Sequence, residues 1–431
     1  MVSWDFFDTL AGRTCGEPWR VFDLVGGEPY RKLRQEAEQQ SDKSWPGIFA
    51  ALRRITGWSA SRVDELREAE WRAELAGVFP IRENVDRVGP RDRIVTDTYF
   101  DARQVRTLAT AIGIPSTVEI VASWDGKHSG RYWKSPAARD IEHHTGDNLR
   151  SDCSQPRSAG IAATRYAGGD QATARKALSA GQWEIAGAAR AARLQNPHRQ
   201  GSDAHRWWDA AAAANVPFLL AAAALVREYV QAARPDRVCF VSRDSILLAN
   251  AYQTLYGEKV EIFHASRQTL RDPSPGFLAY AKSLASGTLF VDLHGTGRSV
   301  RGFCDAQGID LSYVYVCGQR RMAAHYPALV QLKGIGTGTA VEVANYHDEG
   351  RVIDVVGGVP VRADLEYLLD PVREQRAATL AGIKACCRPP QGVTCENVAA
   401  AAEAIRRTVP RELLRQHEVE HPLPALGVVR K

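Results

Sequence analysis

A chain of 431 residues is long enough to bury a large core and to divide into two or three domains, and 45% hydrophobic with 24% charged residues is the composition of an ordinary globular protein. A net charge of +5 is mild at this length; it suits anionic small substrates and falls short of the dense basic face of a nucleic-acid binder. Eight cysteines without a CxxC pair, two of them adjacent at Cys386-Cys387, argue against a disulfide framework and a zinc site and favour a reducing, cytoplasmic setting. Asp5 stands where a secretory leader would need basic residues and then an apolar run. The longest apolar stretch, 210–226, is Ala-rich, carries Asn215 and Pro217, and is shorter than a bilayer span, so a pair of soluble helices is expected there and no transmembrane segment.

In chain order, the first informative run is Trp4-Asp5-Phe6-Phe7-Asp8-Thr9-Leu10. Val2, Trp4 and Phe6 alternate with Ser3, Asp5 and Phe7, the period of a short buried strand, and the signal breaks at Ala11-Gly12. Such a strand delivers Asp5 and Asp8 at the edge where open α/β sheets keep their ligands, with one acid to attack and the other to handle a proton. From 17 to 75 the pattern turns helical, through Leu33, then Ile48, Phe49, Leu52 and Ile55, then Val63 and Leu66, with Ser59 or Ser61 as a cap; it reads as a helical insertion.

A second strand is expected over 93–98, carrying Thr96 and ending in a hydroxyl, then a helix over 104–112 stopped by Gly113. A third strand covers 118–122, and Gly126-Lys127-His128-Ser129-Gly130 supplies a basic loop. Beyond Ile141, Gly146-Asp147 and Asp152 set two carboxylates on one tight loop, while His143 and His144 read as structural or substrate-facing. A carboxylate that attacks a phosphoryl group needs a divalent cation, a hydroxyl and a side-chain cation around it. Asp5, Thr96, Lys127 and Asp147 supply these in order.

That ordered set resembles the haloacid dehalogenase-like phosphatases, over about residues 1–170. The resemblance implies that Asp5 forms an aspartyl-phosphate, that Thr96 and Lys127 hold the phosphate, and that Asp5, Asp147 and Asp152 hold Mg²⁺. The family's usual acid/base lies two residues after the nucleophile, where this chain has Phe7; Asp8 is the candidate for that role. The insertion, about 15–88, would be the family's helical cap.

Residues 171–205 are Ala- and Arg-rich with weak periodicity, a helix and then a linker. From 206 onward strands are expected at 237–241, 260–263, 288–292 and 312–316, with a helix over 246–256 and another running through Cys304, the alternation of a parallel sheet. Between the third strand and its helix, Gly295-Thr296-Gly297-Arg298-Ser299 combines two glycines, two hydroxyls and a helix N-terminus, a cradle for phosphate. Asp292, just before, can accept from two neighbouring hydroxyls of a sugar. This stretch resembles the phosphoribosyl-diphosphate loop of type I phosphoribosyltransferases. By that resemblance Asp292 grips the ribose, Thr296, Gly297, Arg298 and Ser299 hold its 5-phosphate, Ser242-Arg243-Asp244 forms the diphosphate loop, and Arg267 adds a diphosphate contact. The family usually has two adjacent acids, whereas Val291 precedes Asp292 here. Gly334-x-Gly336-x-Gly338 lacks the third spacing of a dinucleotide site and reads as a loop. Helices over 364–380 and 397–408 and a loose tail from 421 complete the expectation.

The fold class expected is therefore α/β: two Rossmann-like parallel-sheet domains, the first (1–170) with a helical cap, the second (206–431) phosphoribosyltransferase-like with C-terminal helices, joined by 171–205. The pairing resembles bacterial enzymes that add ribofuranose to surface glycans. It implies transfer of 5-phosphoribosyl from phosphoribosyl diphosphate to a glycan or lipid-linked oligosaccharide, then removal of the 5-phosphate. Two alternatives are an enzyme that makes a nucleoside-like metabolite and a phosphatase with a regulatory phosphosugar-sensing domain.

Overall fold

The computed structural model describes residues 1–168, 182–319, 325–334, 336–365 and 369–420. The chain is mixed α/β and divides into two compact units, Met1–Trp183 with Leu194–Pro197, and Glu184–Arg193 with His198–Lys431. Each holds a five-stranded, all-parallel sheet flanked by helices.

The strands of the first unit are β1 (Val2–Trp4), β2 (Ala11–Arg13), β3 (Val78–Pro80), β4 (Arg93–Asp97), β5 (Glu119–Ser123), β6 (His143–Gly146) and β7 (Ala162–Arg165). The sheet runs β5-β4-β1-β6-β7, so the short N-terminal strand is central, pairing Trp4 with Ile94 on one side and with Thr145 on the other. The strand is covered on both faces: Trp4 is buried on one, and on the other the buried Ser3 is accommodated because its hydroxyl bonds to His144 Nδ1 at 2.8 Å. β1 is followed directly by Asp5, whose N–H donates to the Thr145 carbonyl at 2.8 Å, and the chain turns as Leu10 and Ala11 both donate to the Phe6 carbonyl.

β2 and β3 form an antiparallel ribbon, Arg13 opposite Val78, from which the helical insertion springs: α1 (Pro18–Gln39), α2 (Trp45–Thr56) and α3 (Ala60–Gly77). Ser44 and Ser59 cap α2 and α3 by accepting from Gly47 N and Arg62 N. Ile48, Phe49 and Leu52 are buried, each contributing about 1.5–3 kcal/mol by leaving water. Inside the insertion, Arg34 of α1 makes a fully buried ion pair with Glu70 of α3, which also accepts from Tyr30 Oη at 3.0 Å.

In the second unit the strands are β8 (Arg237–Val241), β9 (Glu261–Phe263), β10 (Thr288–His294), β11 (Ser312–Gln319), β12 (Ala328–Leu332), β13 (Val352–Val356) and β14 (Val359–Arg362); the sheet order is β12-β11-β10-β8-β9, and β13 and β14 make a separate hairpin. The helix pair expected around 210–226 is one helical run, Asp203–Ala233. Pro217 brings no N–H, and the chain absorbs it with a π-helical turn at Ala211–Asn215 in place of a break. Asn215 stays in the core because its amide donates to Asn345 Oδ1 and Thr379 Oγ1. This run is long and apolar enough to cross a membrane by composition alone, yet 78% of its apolar window is buried within the fold, where its alanines let neighbouring elements approach closely.

Other expectations shift. Within 171–205 the helix expected before the linker is Trp183–Leu194, which contributes Ala188 and Ala192 to the second unit's core; residues 169–181 lie outside the described residues. Gly338 lies in the helix Thr337–Ala344 rather than in a loop; Gly336 precedes that helix with φ 78°. The strands β6, β7 and β12, the β13–β14 hairpin and the helix Pro275–Ala285 were not expected; their runs are too short or too mixed to show a period. The C-terminal helices are Leu369–Ala385, Cys395–Thr408 and Arg411–Glu420, and the tail from 421 lies outside the described residues. All eight cysteines are free thiols.

Candidate functional site

In the first unit, four of the residues singled out in the sequence meet at the carboxyl edge of the sheet. Asp5 follows β1, Asp147 follows β6, and Asp152 sits on the π-helical turn Leu149–Ser154, so the pair expected on one tight loop is held instead by a strand end and a helical turn. One oxygen from each of Asp5, Asp147 and Asp152 lies within 4.8 Å of the others, an all-oxygen set that can hold a hard divalent cation. Lys127 reaches in from the loop after β5; its ammonium is 2.5 Å from Asp5 Oδ1 and 2.6 Å from Asp152 Oδ1.

Asp97 builds that loop. Its carboxylate accepts from the backbone N–H of Lys127 at 3.0 Å and of His128 at 2.8 Å, which fixes where the Lys127 side chain begins. Thr96 stands at the same edge, buried, and its hydroxyl has no hydrogen-bond partner among the described residues. His144 lies beneath the cluster. Its Nε2–H donates to Asp152 Oδ1 at 3.3 Å, which leaves Nδ1 to accept from Ser3 Oγ at 2.8 Å, and Trp133 packs on its ring. Burial holds His144 down at about 4, so it is neutral and its tautomer is fixed by these partners.

The charges in this cluster are unequal. Burial pushes Asp147 up to about 6, aided by the like charges of Asp8 and Asp152. Asp5 is also pushed well above the usual carboxylate range by burial, with Lys127 opposing and Asp152 and Asp147 adding to the shift. Asp152 is buried too, yet Lys127 and the His144 bond hold it well below that range. The fixed negative charge of the set thus rests first on Asp152.

Asp8 takes a left-handed backbone, φ 57°, within the turn after β1, and its charge acts on Asp147 and on Arg13. Arg13 lies flat against Phe7, Cζ 3.7 Å from the ring centroid, and its Nε donates to both Glu74 oxygens at 3.2 and 2.9 Å. Glu74 belongs to α3, so this pair ties the insertion to the loop that carries Asp5.

In the second unit, all nine residues named for substrate binding line one cleft of about 620 Å³: Ser242, Arg243, Asp244, Arg267, Asp292, Thr296, Gly297, Arg298 and Ser299. Its floor is acidic, with Asp244, Asp292 and Glu342 half-buried, and its rim is cationic, with Arg267, Arg271, Arg298 and Arg351 exposed. The loop after β8 is held by Ser242, whose N–H donates to Phe263 O and whose hydroxyl donates to Ala265 O; the Ser242-Arg243 peptide is cis. Arg243 stacks over the Tyr346 ring at 5.0 Å.

Asp292 is more committed than its sequence position implies. Oδ1 accepts from Ser245 Oγ at 3.3 Å and from Leu293 N at 2.8 Å, and Oδ2 accepts from Tyr313 Oη at 2.7 Å. A carboxylate offers about four acceptor positions, so it has room for one sugar hydroxyl rather than two. Burial raises Asp292 to about 6, and burial with the charge of Glu342 raises Asp244 to about 7. His294, two residues beyond Asp292, donates through its Nδ1–H to Glu342 Oε1 at 3.1 Å.

No protein-family model matches this chain, and no curated protein does. The geometry therefore stands on its own chemistry.

The first site gathers a carboxylate, a lysine and a metal-competent acidic set, the components of phosphoryl chemistry. The second combines rim cations with a polar floor, which matches a ligand anionic at its ends and hydroxylated between them. Sequence reasoning missed Asp97, Arg13 and Glu74 in the first unit, and Tyr313, His294 and Glu342 in the second; His144, read as structural or substrate-facing, is buried against Asp152. Asp97 stands beside Thr96, so adjacency was a usable signal for it. Glu74, Tyr313 and Glu342 arrive from separate elements and left none.

Proposed function

We propose that the chain is a bifunctional ribofuranosylation enzyme: the second unit transfers 5-phosphoribosyl from phosphoribosyl diphosphate to a glycan or lipid-linked oligosaccharide, and the first removes the 5-phosphate. The observation that carries the reading is that two residue sets, scattered over the sequence, converge at the carboxyl edges of two separate parallel sheets.

In the phosphatase half, Asp5 attacks the phosphorus and becomes an aspartyl-phosphate as the sugar oxygen leaves. Lys127 and the Thr96 hydroxyl take the phosphoryl oxygens, and Asp8 is the candidate to protonate the leaving oxygen and later to activate water. Asp5, Asp147 and Asp152 would hold Mg²⁺, which supplies positive charge against the phosphoryl oxygens when bound. His144 keeps Asp152 ionised and oriented.

In the transferase half, rim arginines and the Gly295–Ser299 backbone suit the two phosphate ends, and Asp292 takes one ribose hydroxyl. A second reading, ribosylation of a base, draws support from Tyr313, Tyr315 and Tyr346 in the cleft lining. Tyr313 is engaged by Asp292 and Tyr346 by Arg243, which favours the glycan reading.

The deciding experiment incubates the protein with phosphoribosyl diphosphate, Mg²⁺ and a panel of glycan and base acceptors, following diphosphate and phosphate release. The parent should release both with a glycan acceptor, whereas Asp5→Asn should release diphosphate alone and accumulate a 5-phosphorylated product. Binding of phosphoribosyl diphosphate without diphosphate release across the whole panel would turn the second unit into a sensor. Normal phosphate release by Asp5→Asn would remove Asp5 from the nucleophile role.

A further inference from the structure

We infer that Arg13 recognises the hydroxyl-bearing part of the phosphate ester bound by the first unit, so that this site selects a sugar phosphate over a bare or simple alkyl phosphate. The inference rests on the phosphatase reading of that site.

Arg13 is buried, 6% exposed, and only part of it has work to do inside the fold. Its Nε is spent on Glu74, and one face of the guanidinium is spent on Phe7. Among the described residues, neither terminal nitrogen has a hydrogen-bond acceptor. A pin between β2 and α3 needs only the Nε contact. The two terminal nitrogens are not sealed from solvent, so they stay open to a ligand that enters the site.

Position says what that would be. Arg13 covers Phe7, two residues beyond Asp5, and Asp8 is close enough for its charge to act on both Arg13 and the Asp147 of the acidic set. The groups suited to phosphoryl oxygens, Lys127 and Thr96, come from the loop after β5 and from β4. Arg13 belongs instead to the ribbon that carries the insertion, next to the nucleophile loop.

The neighbouring chemistry is that of a polyol site. Arg13 offers donors, Asp8 an acceptor, and Phe7 with Phe100, their centroids 6.3 Å apart, offers apolar ring surface. A sugar hydroxyl both accepts and donates, and a sugar also has C–H faces that pack on aromatic rings. A bare phosphate at neutral pH would gain from Arg13 but be repelled by Asp8. The planar fork also matters: lysine keeps the charge but cannot stack on Phe7 and donate from two nitrogens at once.

The test uses the full chain with Asp5→Asn, which cannot turn over, and Mg²⁺, with ribose 5-phosphate and methyl phosphate titrated by calorimetry. Ribose 5-phosphate should bind about tenfold tighter than methyl phosphate, and adding Arg13→Lys should erase that preference while changing methyl phosphate affinity by less than about twofold. Glu74→Gln, which weakens the pin but leaves the donors, should keep most of the preference. Equal weakening of both ligands by Arg13→Lys, or loss of the preference in Glu74→Gln as complete as in Arg13→Lys, would make Arg13 structural and overturn the inference alone. An unchanged preference in Arg13→Lys overturns it as well. Binding of neither ligand before Arg13 is touched would bring down the reading of the site itself.

Discussion

At the scale of single residues, the cleft of the second unit is tuned by carboxyl groups that resist ionisation. Asp244 at about 7 and Asp292 at about 6 are raised by burial first, and each is raised further by Glu342. A carboxyl whose folded pKa lies above its unfolded value of roughly 3.9 contributes stability below that value and loses it as pH rises through the folded one. The cleft floor therefore gains negative charge between about pH 6 and 8, against the anionic ligand proposed for it. Because the diphosphate also ionises in that range, the informative quantity is the parent compared with Asp244→Asn. Calorimetry should show the parent losing about tenfold more affinity for phosphoribosyl diphosphate over this interval than the variant does. Parallel pH profiles would mean that Asp244 does not face the ligand. The sequence made Asp244 visible as part of Ser242-Arg243-Asp244, but its raised pKa comes first from burial and then from Glu342, almost a hundred residues away, and no local pattern carries either.

At the scale of elements, strand ends were the legible part of the chain. β1, β4, β8 and β10 announce themselves by short alternating or apolar runs, and each is followed by a residue type that chemistry can use. What stayed hidden were the elements that complete the sites from outside such runs: the π-helical turn that carries Asp152, and the helix Thr337–Ala344 that brings Glu342 to His294. Gly297 shows how one position can have two separate reasons to be glycine. The sequence suggests that a side chain there would fill the space of a phosphate; in the fold, Gly297 has φ 77° at the start of the helix Arg298–Gln307, and a Cβ would come within 2.6 Å of the Tyr326 ring. A β-branched residue is strained in that region whatever the ligand, at a cost of about 1–3 kcal/mol. Gly297→Val should therefore lower the melting temperature as well as weaken phosphoribosyl diphosphate binding, while Ser299→Ala should weaken binding alone. A Gly297→Val protein that melts like the parent and has lost only ligand would restore the simpler steric account.

At the scale of the whole molecule, the proposal makes two half-reactions depend on different residues of one chain. Asp292→Asn keeps the shape of the cleft floor but turns one acceptor oxygen into a donor facing Tyr313 or the ribose, and transfer should fall about tenfold or more. Asp5→Asn removes the nucleophile and should leave transfer intact. Neither substitution touches the other sheet, since Asp5 follows β1 and Asp292 lies in β10. Mixed in equal amounts with phosphoribosyl diphosphate, Mg²⁺ and a glycan acceptor, the two variants should together rebuild the complete sequence: Asp5→Asn supplies the 5-phosphorylated glycan and Asp292→Asn dephosphorylates it. Phosphate release should return toward the parent's rate after a lag set by diffusion of the intermediate, and the lag should shorten as protein concentration rises. If Asp5→Asn also abolishes diphosphate release, or if Asp292→Asn cannot dephosphorylate glycan taken from the Asp5→Asn reaction, the two sites are not consecutive steps of one conversion and the bifunctional reading fails.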